Sequence, residues 1–268
     1  MPIQTALFDL TGKGALVTGG ATGIGRALTA GLAAHGARVL IGSRRAELVE
    51  QAATELNADF NEPRVFGTRL DVTDNDSVEA AVHTATERLD SLDILINCAG
   101  IQLRKPAIDL TPEEFNHMYD VHATGSLRCA QAAARIFIPQ GSGCIINVAS
   151  VCSFVDNIEV SAYAAAKSAV LGLTRSLANE WVKHGVRTNA IAPGFVVTDL
   201  NRQNLVGTDR GRRILERTPA ARFGQASEMA GTAVYLASPA AAFVNGQTIV
   251  VDGGFLACGF TDSVAGEQ

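Results

Sequence analysis

Three side chains within one short stretch have the types and spacing for proton exchange with an alcohol oxygen. Residues 144–167 read CIINVASVCSFVDNIEVSAYAAAK. The apolar run from Cys144 to Val148 predicts a buried parallel strand, and Ser150 stands just past its end. Tyr163 follows thirteen residues later and Lys167 four after that. Positions i and i+4 share one face of a helix. If the strand end faces the start of that helix, a hydroxyl, a phenol and an ammonium converge on one point. A Tyr–Lys pair alone would equally serve as an ordinary pair on an exposed helix, so the elements around it decide between the two readings.

Those elements alternate strictly. Short apolar runs at 14–19 (GALVTG), 37–43, 64–70, 93–97, 144–148, 186–192 and 246–254 predict strands. Helical patterns separate them at 24–35, 44–57, 75–89, from Thr111 to about Ile138, 162–184 and 227–237. Asp74 is placed to cap the third of these. Thr111-Pro112-Glu113-Glu114 has the cap, the proline and the glutamate of a capping box. Pro139, with glycines 141 and 143, should end the long helix, and 195–217 reads as a polar, irregular loop. Near-continuous apolar strands alternating with helices predict an α/β fold, a doubly wound parallel sheet with helices on both faces. No linker, fixed-period repeat or low-complexity tract divides the chain, so residues 1–268 read as a single domain.

In such sheets ligands bind beyond the carboxyl ends of the strands. TGGATGIG (18–25) follows the first strand, with Gly19, Gly23 and Gly25 allowing a tight turn. The helix that starts there would offer free N–H groups to a pyrophosphate. After the second strand, where an acidic residue would bind a ribose 2′-hydroxyl, stand Ser43, Arg44 and Arg45. A hydroxyl and a guanidinium suit a 2′-phosphate, which predicts NADP as the preferred cofactor with NAD second. Asp71-Val72 follows the third strand; the aspartate could accept from an adenine amino group or cap the next turn. The fourth strand ends in Asn97-Cys98-Ala99-Gly100, small residues against which a cofactor could lie. Pro193, Gly194, Val196 and Thr198 follow the sixth.

The bulk composition limits the alternatives. The 268 residues are 47% hydrophobic with a net charge of -5, which offers no basic stripe for nucleic acid. The first residues lack a basic segment followed by an apolar one, and no window approaches 18 uncharged apolar residues, so neither a secretory signal nor a membrane span is expected. The five cysteines are scattered without a CxxC pair, which predicts free thiols, no metal site and a cytoplasmic protein.

Taken together, TGGATGIG (18–25), Asp71, NCAG (97–100), Ser150, YAAAK (163–167) and PGFVVT (193–198) resemble the short-chain dehydrogenase/reductase family over essentially the whole chain. The resemblance implies a Rossmann-like seven-stranded sheet, a nicotinamide cofactor held by residues that include Thr22, Ile24, Tyr163 and Lys167, a small-molecule substrate and a homotetramer. It implies that Tyr163 is the acid/base, that Lys167 and the oxidised nicotinamide favour its phenolate, and that Ser150 holds the substrate oxygen. An unperturbed tyrosine, with a pKa of about 10, needs that help to act as a base near neutrality. The family's usual asparagine in the helix after the fourth strand is replaced by His122. That histidine could keep the main-chain carbonyl of a proton relay in place, and it could titrate near neutrality.

GIQLRKPAIDL (100–110) and ERTPAARFG (216–224) are similar to the family's sugar-acid branch, which includes gluconate 5-dehydrogenase and the keto-deoxy-gluconate dehydrogenases. Arg104, Lys105 and Arg202 could meet a carboxylate there, with 195–217 as a substrate loop. An NAD(P)-dependent dehydrogenase of a sugar, sugar acid or polyol is the leading reading. A 3-oxoacyl thioester reductase shares these motifs, and a dinucleotide-binding sensor without chemistry is the reading of another class.

Overall fold

The computed structural model describes residues 6–199 and 201–259. The last residues of the tail, and Leu200 within the expected substrate loop, lie outside that set. Seven parallel strands form one sheet: β1 Gly14–Thr18, β2 Arg38–Ser43, β3 Val65–Arg69, β4 Ile94–Asn97, β5 Gly143–Val148, β6 Val186–Pro193 and β7 Thr248–Val251. Their order is β3-β2-β1-β4-β5-β6-β7. The connections therefore reverse direction between β1 and β4, the crevice where doubly wound sheets bind ligands. Strands buried on both faces carry apolar residues continuously rather than alternately. In β1 and β4 every residue is buried.

The helices are α1 Gly23–Ala34, α2 Ala46–Asn57, α3 Asn75–Arg88, α4 Pro112–Tyr119, α5 Gly125–Gln140, α6 Ser161–Trp181, α7 Arg202–Leu205, α8 Asp209–Glu216 and α9 Ala230–Ala237. Leu28 and Leu32 of α1, Val49 of α2 and Val234 of α9 share one core with Val17, Ile41 and Ile96. Val82 of α3, Phe137 of α5 and Leu177 of α6 share the other with Leu16, Leu40 and Leu95. Successive side chains along a strand point to opposite faces, which is why neighbours such as Leu16 and Val17 feed different cores. The expected caps are present: Asp74 accepts from Asp76 N, and Thr111 and Glu114 form the capping box.

Two expectations fail locally. Helix α5 does not stop before Pro139 but includes it and ends after Gln140, with Gly141 at φ +70°. A proline in the last turn removes only one terminal bond, and the left-handed glycine is the stop. The stretch 195–217 is not irregular, because it contains α7 and α8. Helix α8 buries only Gly211 and Ile214, so it has almost no apolar period to read; the Thr208 side chain, which accepts from Gly211 N, caps it.

Candidate active site

The carboxyl end of β5 meets the first turns of α6, and this junction brings the three expected side chains together. Ser150, buried just past β5, accepts from Cys152 N at 3.1 Å through its own Oγ. That bond opens a single 3-10 turn, Val151–Ser153. Ser153 Oγ donates to the Lys167 carbonyl at 2.8 Å, fastening the turn to α6. Lys167 is only 5% exposed, and its Nζ donates to the Val148 carbonyl at 2.6 Å. It lies 5.7 Å from the centre of the Tyr163 ring.

Burial dominates the electrostatics of this pair. It lowers the Lys167 ammonium from 10.5 to about 8, opposed by the thiols of Cys98 and Cys152. It raises the Tyr163 phenol above its ordinary value, and Cys152 adds to the rise while the Ser150 hydroxyl pulls the other way. The expected activation of the phenolate is therefore not built into the protein alone: desolvation is the largest influence on the phenol, and it acts against the phenolate. A phenol that stays protonated at neutral pH is a proton donor, so the pair as it stands suits delivery of a proton to a carbonyl oxygen.

His122 lies in a π-helical turn, Asp120–Thr124, that joins α4 to α5 where one continuous helix was expected. Single π turns in helices mark functional sites often. Its ring is 3% exposed and meets the Tyr163 ring edge-on, with centroids 5.3 Å apart. Nε2 lies 2.9 Å from the Ile101 carbonyl and 3.2 Å from the Ile101 N–H. An asparagine amide could satisfy both, one with its NH2 and one with its oxygen, whereas one imidazole nitrogen is either donor or acceptor. Nδ1 is buried without a hydrogen-bond partner. The His122 carbonyl accepts from Ser126 Oγ at 2.7 Å.

The expectation that His122 titrates near neutrality is overturned. Burial, then the Lys167 charge, lower it from 6.5 to about 3 against the Ile101 hydrogen bond. The unfolded chain protonates this group near 6.5 and the folded one only near 3, so stability is lost as pH falls through that window. At pH 4.5 the loss amounts to about 2–3 kcal/mol. Urea unfolding of wild type and His122→Asn at pH 7 and 4.5 should show wild type losing that much more than the variant. Equal losses would mean that the imidazole is not held neutral.

The remaining strand ends form a cradle that fits a dinucleotide. Gly19 has φ +69°, and a Cβ there would stand 2.9 Å from the Ala99 Cα; a Cβ on Gly25 would stand 2.2 Å from the Gly19 carbonyl. The turn is thus closed to any larger residue by its own backbone. Thr22, at the N-cap of α1, makes no side-chain cap, which leaves the amides of the first turn without that partner. Ile24 packs on the core from partial exposure. Thr198 lies against Gly23, so the segment after β6 reaches the glycine turn. Pro193 ends β6, the Gly194 N–H donates to the Val251 carbonyl, and Val196 is buried.

Arg44 is exposed at the end of β2; against burial, the Thr73 hydrogen bonds, and after them the Arg44 and Arg69 charges, hold Asp71 below the usual carboxylate range. Asp71 Oδ1 accepts from the Thr73 N–H and hydroxyl, the capping role offered as the plainer alternative. Val72, buried, follows it. Asn97 is engaged inside the sheet: Nδ2 donates to Asn147 Oδ1 and the Ser126 carbonyl, while Oδ1 is buried without a partner. The amides of Cys98 and Ala99 donate to Thr18 Oγ1, which sets the Cys98–Gly100 turn beside β1.

The cations expected to meet a carboxylate fare unevenly. Lys105 pairs with Glu114 at 2.9 Å, Arg104 pairs with Glu159 at 2.5 Å, and Arg202 is exposed. The structure instead brings Arg210 of α8 to the segment beyond Ser150, where its Nη1 donates to the Ile158 carbonyl at 3.3 Å. Five arginines between 202 and 217 hid it in the sequence, and only the Thr208 cap, which fixes the phase of α8, could have singled it out. Ser126, which donates to the His122 carbonyl, was missed for a similar reason: it sits mid-helix, four residues past His122.

Comparison with known proteins places this arrangement. Residues 19–256 match a family model described as enoyl-(acyl carrier protein) reductase. The chain is 41% identical to a 2-dehydro-3-deoxy-D-gluconate 5-dehydrogenase of Dickeya dadantii, over 93% of this chain and 98% of that one. It is 38% identical to a gluconate 5-dehydrogenase of Gluconobacter oxydans, over 92% and 96%. The crystal structure of a gluconate 5-dehydrogenase from Burkholderia cenocepacia in complex with NADP and tartrate superposes with a TM-score of 0.89 at 38% identity, covering 94% of this chain and 98% of that one.

Proposed function

Since the chain belongs to the short-chain dehydrogenase/reductase family, we propose that it interconverts a secondary alcohol and a ketone of a sugar acid, with NADP preferred over NAD. It is an NAD(P)-dependent oxidoreductase of CH–OH groups on sugar-type substrates. The observation that carries the finer reading is the junction of β5 and α6, where the buried Ser150 and Lys167 meet the half-buried Tyr163. A nicotinamide held beside the β5–α6 junction by the strand-end cradle would supply or accept the hydride. Tyr163 holds the proton that the substrate oxygen gains on reduction and receives it back on oxidation. Ser150 donates a hydrogen bond to that oxygen and steadies its developing charge. Lys167 stands beside the phenol as an ammonium below about pH 8 and stabilises the phenolate left when the proton has gone. His122 keeps the Ile101 turn and its own carbonyl in place while remaining neutral.

NADP preference rests on the exposed Arg44 beside Ser43, with no acidic residue at the end of β2. A cytoplasmic homotetramer is part of the same proposal, the five free cysteines being in keeping with a reducing compartment. Among the described residues no helix is long and apolar enough to cross a membrane. A steady-state screen tests the reading. Wild type should turn over D-gluconate or its keto forms with a kcat/KM at least about tenfold higher with NADP(H) than with NAD(H), the worth of one good charge-assisted contact to a phosphate. A clear preference for NAD(H) would overturn the role of Arg44. Faster turnover of an acetoacetyl thioester than of any sugar acid would replace the substrate class.

A further inference from the structure

The chain from Ser150 to Glu159 runs from the reacting centre to a rim where two guanidiniums and one carboxylate gather. Ser150 Oγ accepts from Cys152 N, and Cys152 Sγ accepts from Asn157 Nδ2 at 3.2 Å. The carbonyl of Ile158, the next residue, accepts from Arg210. Glu159 then turns away at φ +68°, a left-handed conformation unusual for glutamate. Two contacts hold it: its carboxylate meets Arg104 Nε, and its main-chain carbonyl accepts from Lys105 N at 2.8 Å.

The charges at this rim do not cancel. Arg104 is paired with Glu159 and Lys105 with Glu114. On α8 itself, Asp209 and Glu216 lie against Arg212. Arg210 has no carboxylate within ion-pair distance among the described residues, although it is partly buried where Arg212 and Arg213 are exposed. A guanidinium presents five N–H donors in a planar fork, and here one of them reaches a carbonyl at 3.3 Å. Burial, and then the nearby Arg104 charge, weaken its hold on its proton, while Cys152 and Glu159 act in the opposite sense. Cys152 is also the thiol that adds to the rise at Tyr163, so a single residue lies within electrostatic reach of both the rim cation and the phenol.

We infer that Arg210 is the anchor for the substrate carboxylate, a specificity-determining residue carried by α8 to the rim beyond Ser150. A sugar acid has its carboxylate at one end and the reacting hydroxyl several carbons away, and the stretch from Ser150 to the rim has that same polarity. Glu159, by occupying Arg104, leaves Arg210 as the guanidinium at this rim open to a bidentate partner. A neutral polyol gains nothing from this arrangement. The inference rests on the sugar-acid reading above.

The test is the KM for D-gluconate of wild type, Arg210→Met and Arg210→Lys at saturating NADP, with the NADP Kd measured by fluorescence. In the Met variant the KM should rise about 30-fold or more, from loss of a charge-assisted bidentate contact. The Lys variant, which keeps the charge but loses the fork, should lie between it and wild type. NADP affinity should stay within twofold. A Met variant with KM within threefold of wild type overturns the inference alone. Should that variant lose NADP binding, the Lys variant decides: a KM raised fivefold or more supports the role, and a smaller change overturns it. A wild type that turns over no sugar acid brings down the substrate reading, and this inference with it.

Discussion

Tyr163→Phe is expected to lower kcat in either direction by about 10³-fold, within the range that a positioned acid/base contributes. The change removes one oxygen and keeps the ring. The edge-on contact with His122 at 5.3 Å is made by the ring, not the hydroxyl, so the pocket should keep its shape. The residue is half-buried and its phenol is held above its ordinary value chiefly by desolvation, so little is gained by keeping the hydroxyl. Stability should therefore be unchanged or slightly raised, and the NADP Kd should stay within twofold. Rapid-quench kinetics together with NADP titration read both quantities. A variant that retains more than about a tenth of wild-type kcat would take the proton away from Tyr163.

Lys167→Met should show a loss of activity together with a gain of stability. The ammonium is buried without a carboxylate partner among the described residues, and its pKa has fallen from 10.5 to about 8. That depression equals about 3 kcal/mol of instability at neutral pH, since each unit is about 1.4 kcal/mol. Methionine fills a similar volume without charge, but it leaves the Val148 carbonyl without the 2.6 Å bond. The net gain should be about 1–2 kcal/mol at pH 7. Activity should fall about 10²-fold or more, because the phenolate loses its neighbouring charge. The pH dependence identifies the cause. Between pH 8 and 10.5 the unfolded chain binds more protons at Lys167 than the folded one, so wild-type stability rises with pH there relative to the variant. The gap between the two proteins should therefore close near about pH 9.5 and reverse above it. A variant less stable than wild type at pH 7 would mean that the ammonium is well solvated or paired. Sites that hold such groups commonly trade stability for function.

The sheet was legible because its strands are buried on both faces and so read as unbroken apolar runs, and because Asp74 and Thr111 cap as their spacing requires. Ser150, Tyr163 and Lys167 were legible for a different reason: the i, i+4 rule and a strand end fix their relative positions without any packing detail. The electrostatics were not legible. Nothing in the spacing tells that Lys167 and Tyr163 are both desolvated, or that His122 lies 3% exposed in a π turn with one nitrogen unpartnered. Those depend on what α4, α5 and the Cys98–Gly100 turn do around them. Arg210 was hidden among five arginines of one short stretch, whereas Lys105 and Arg104, nearer in sequence to a recognisable stretch, are each paired with a glutamate that only the fold brings to them.

Transfer of hydrogen from nicotinamide to carbon is the central claim, and one measurement reads it directly. Wild type and Tyr163→Phe are incubated with 5-keto-D-gluconate and NADPH carrying deuterium at the transferring position of its ring, and the sugar-acid product is examined by mass spectrometry. Wild type should yield product with a single carbon-bound deuterium, and Tyr163→Phe should yield none in the same interval. A wild-type product without deuterium, or equal labelling by both proteins, would contradict hydride transfer at a site where Tyr163 supplies the proton.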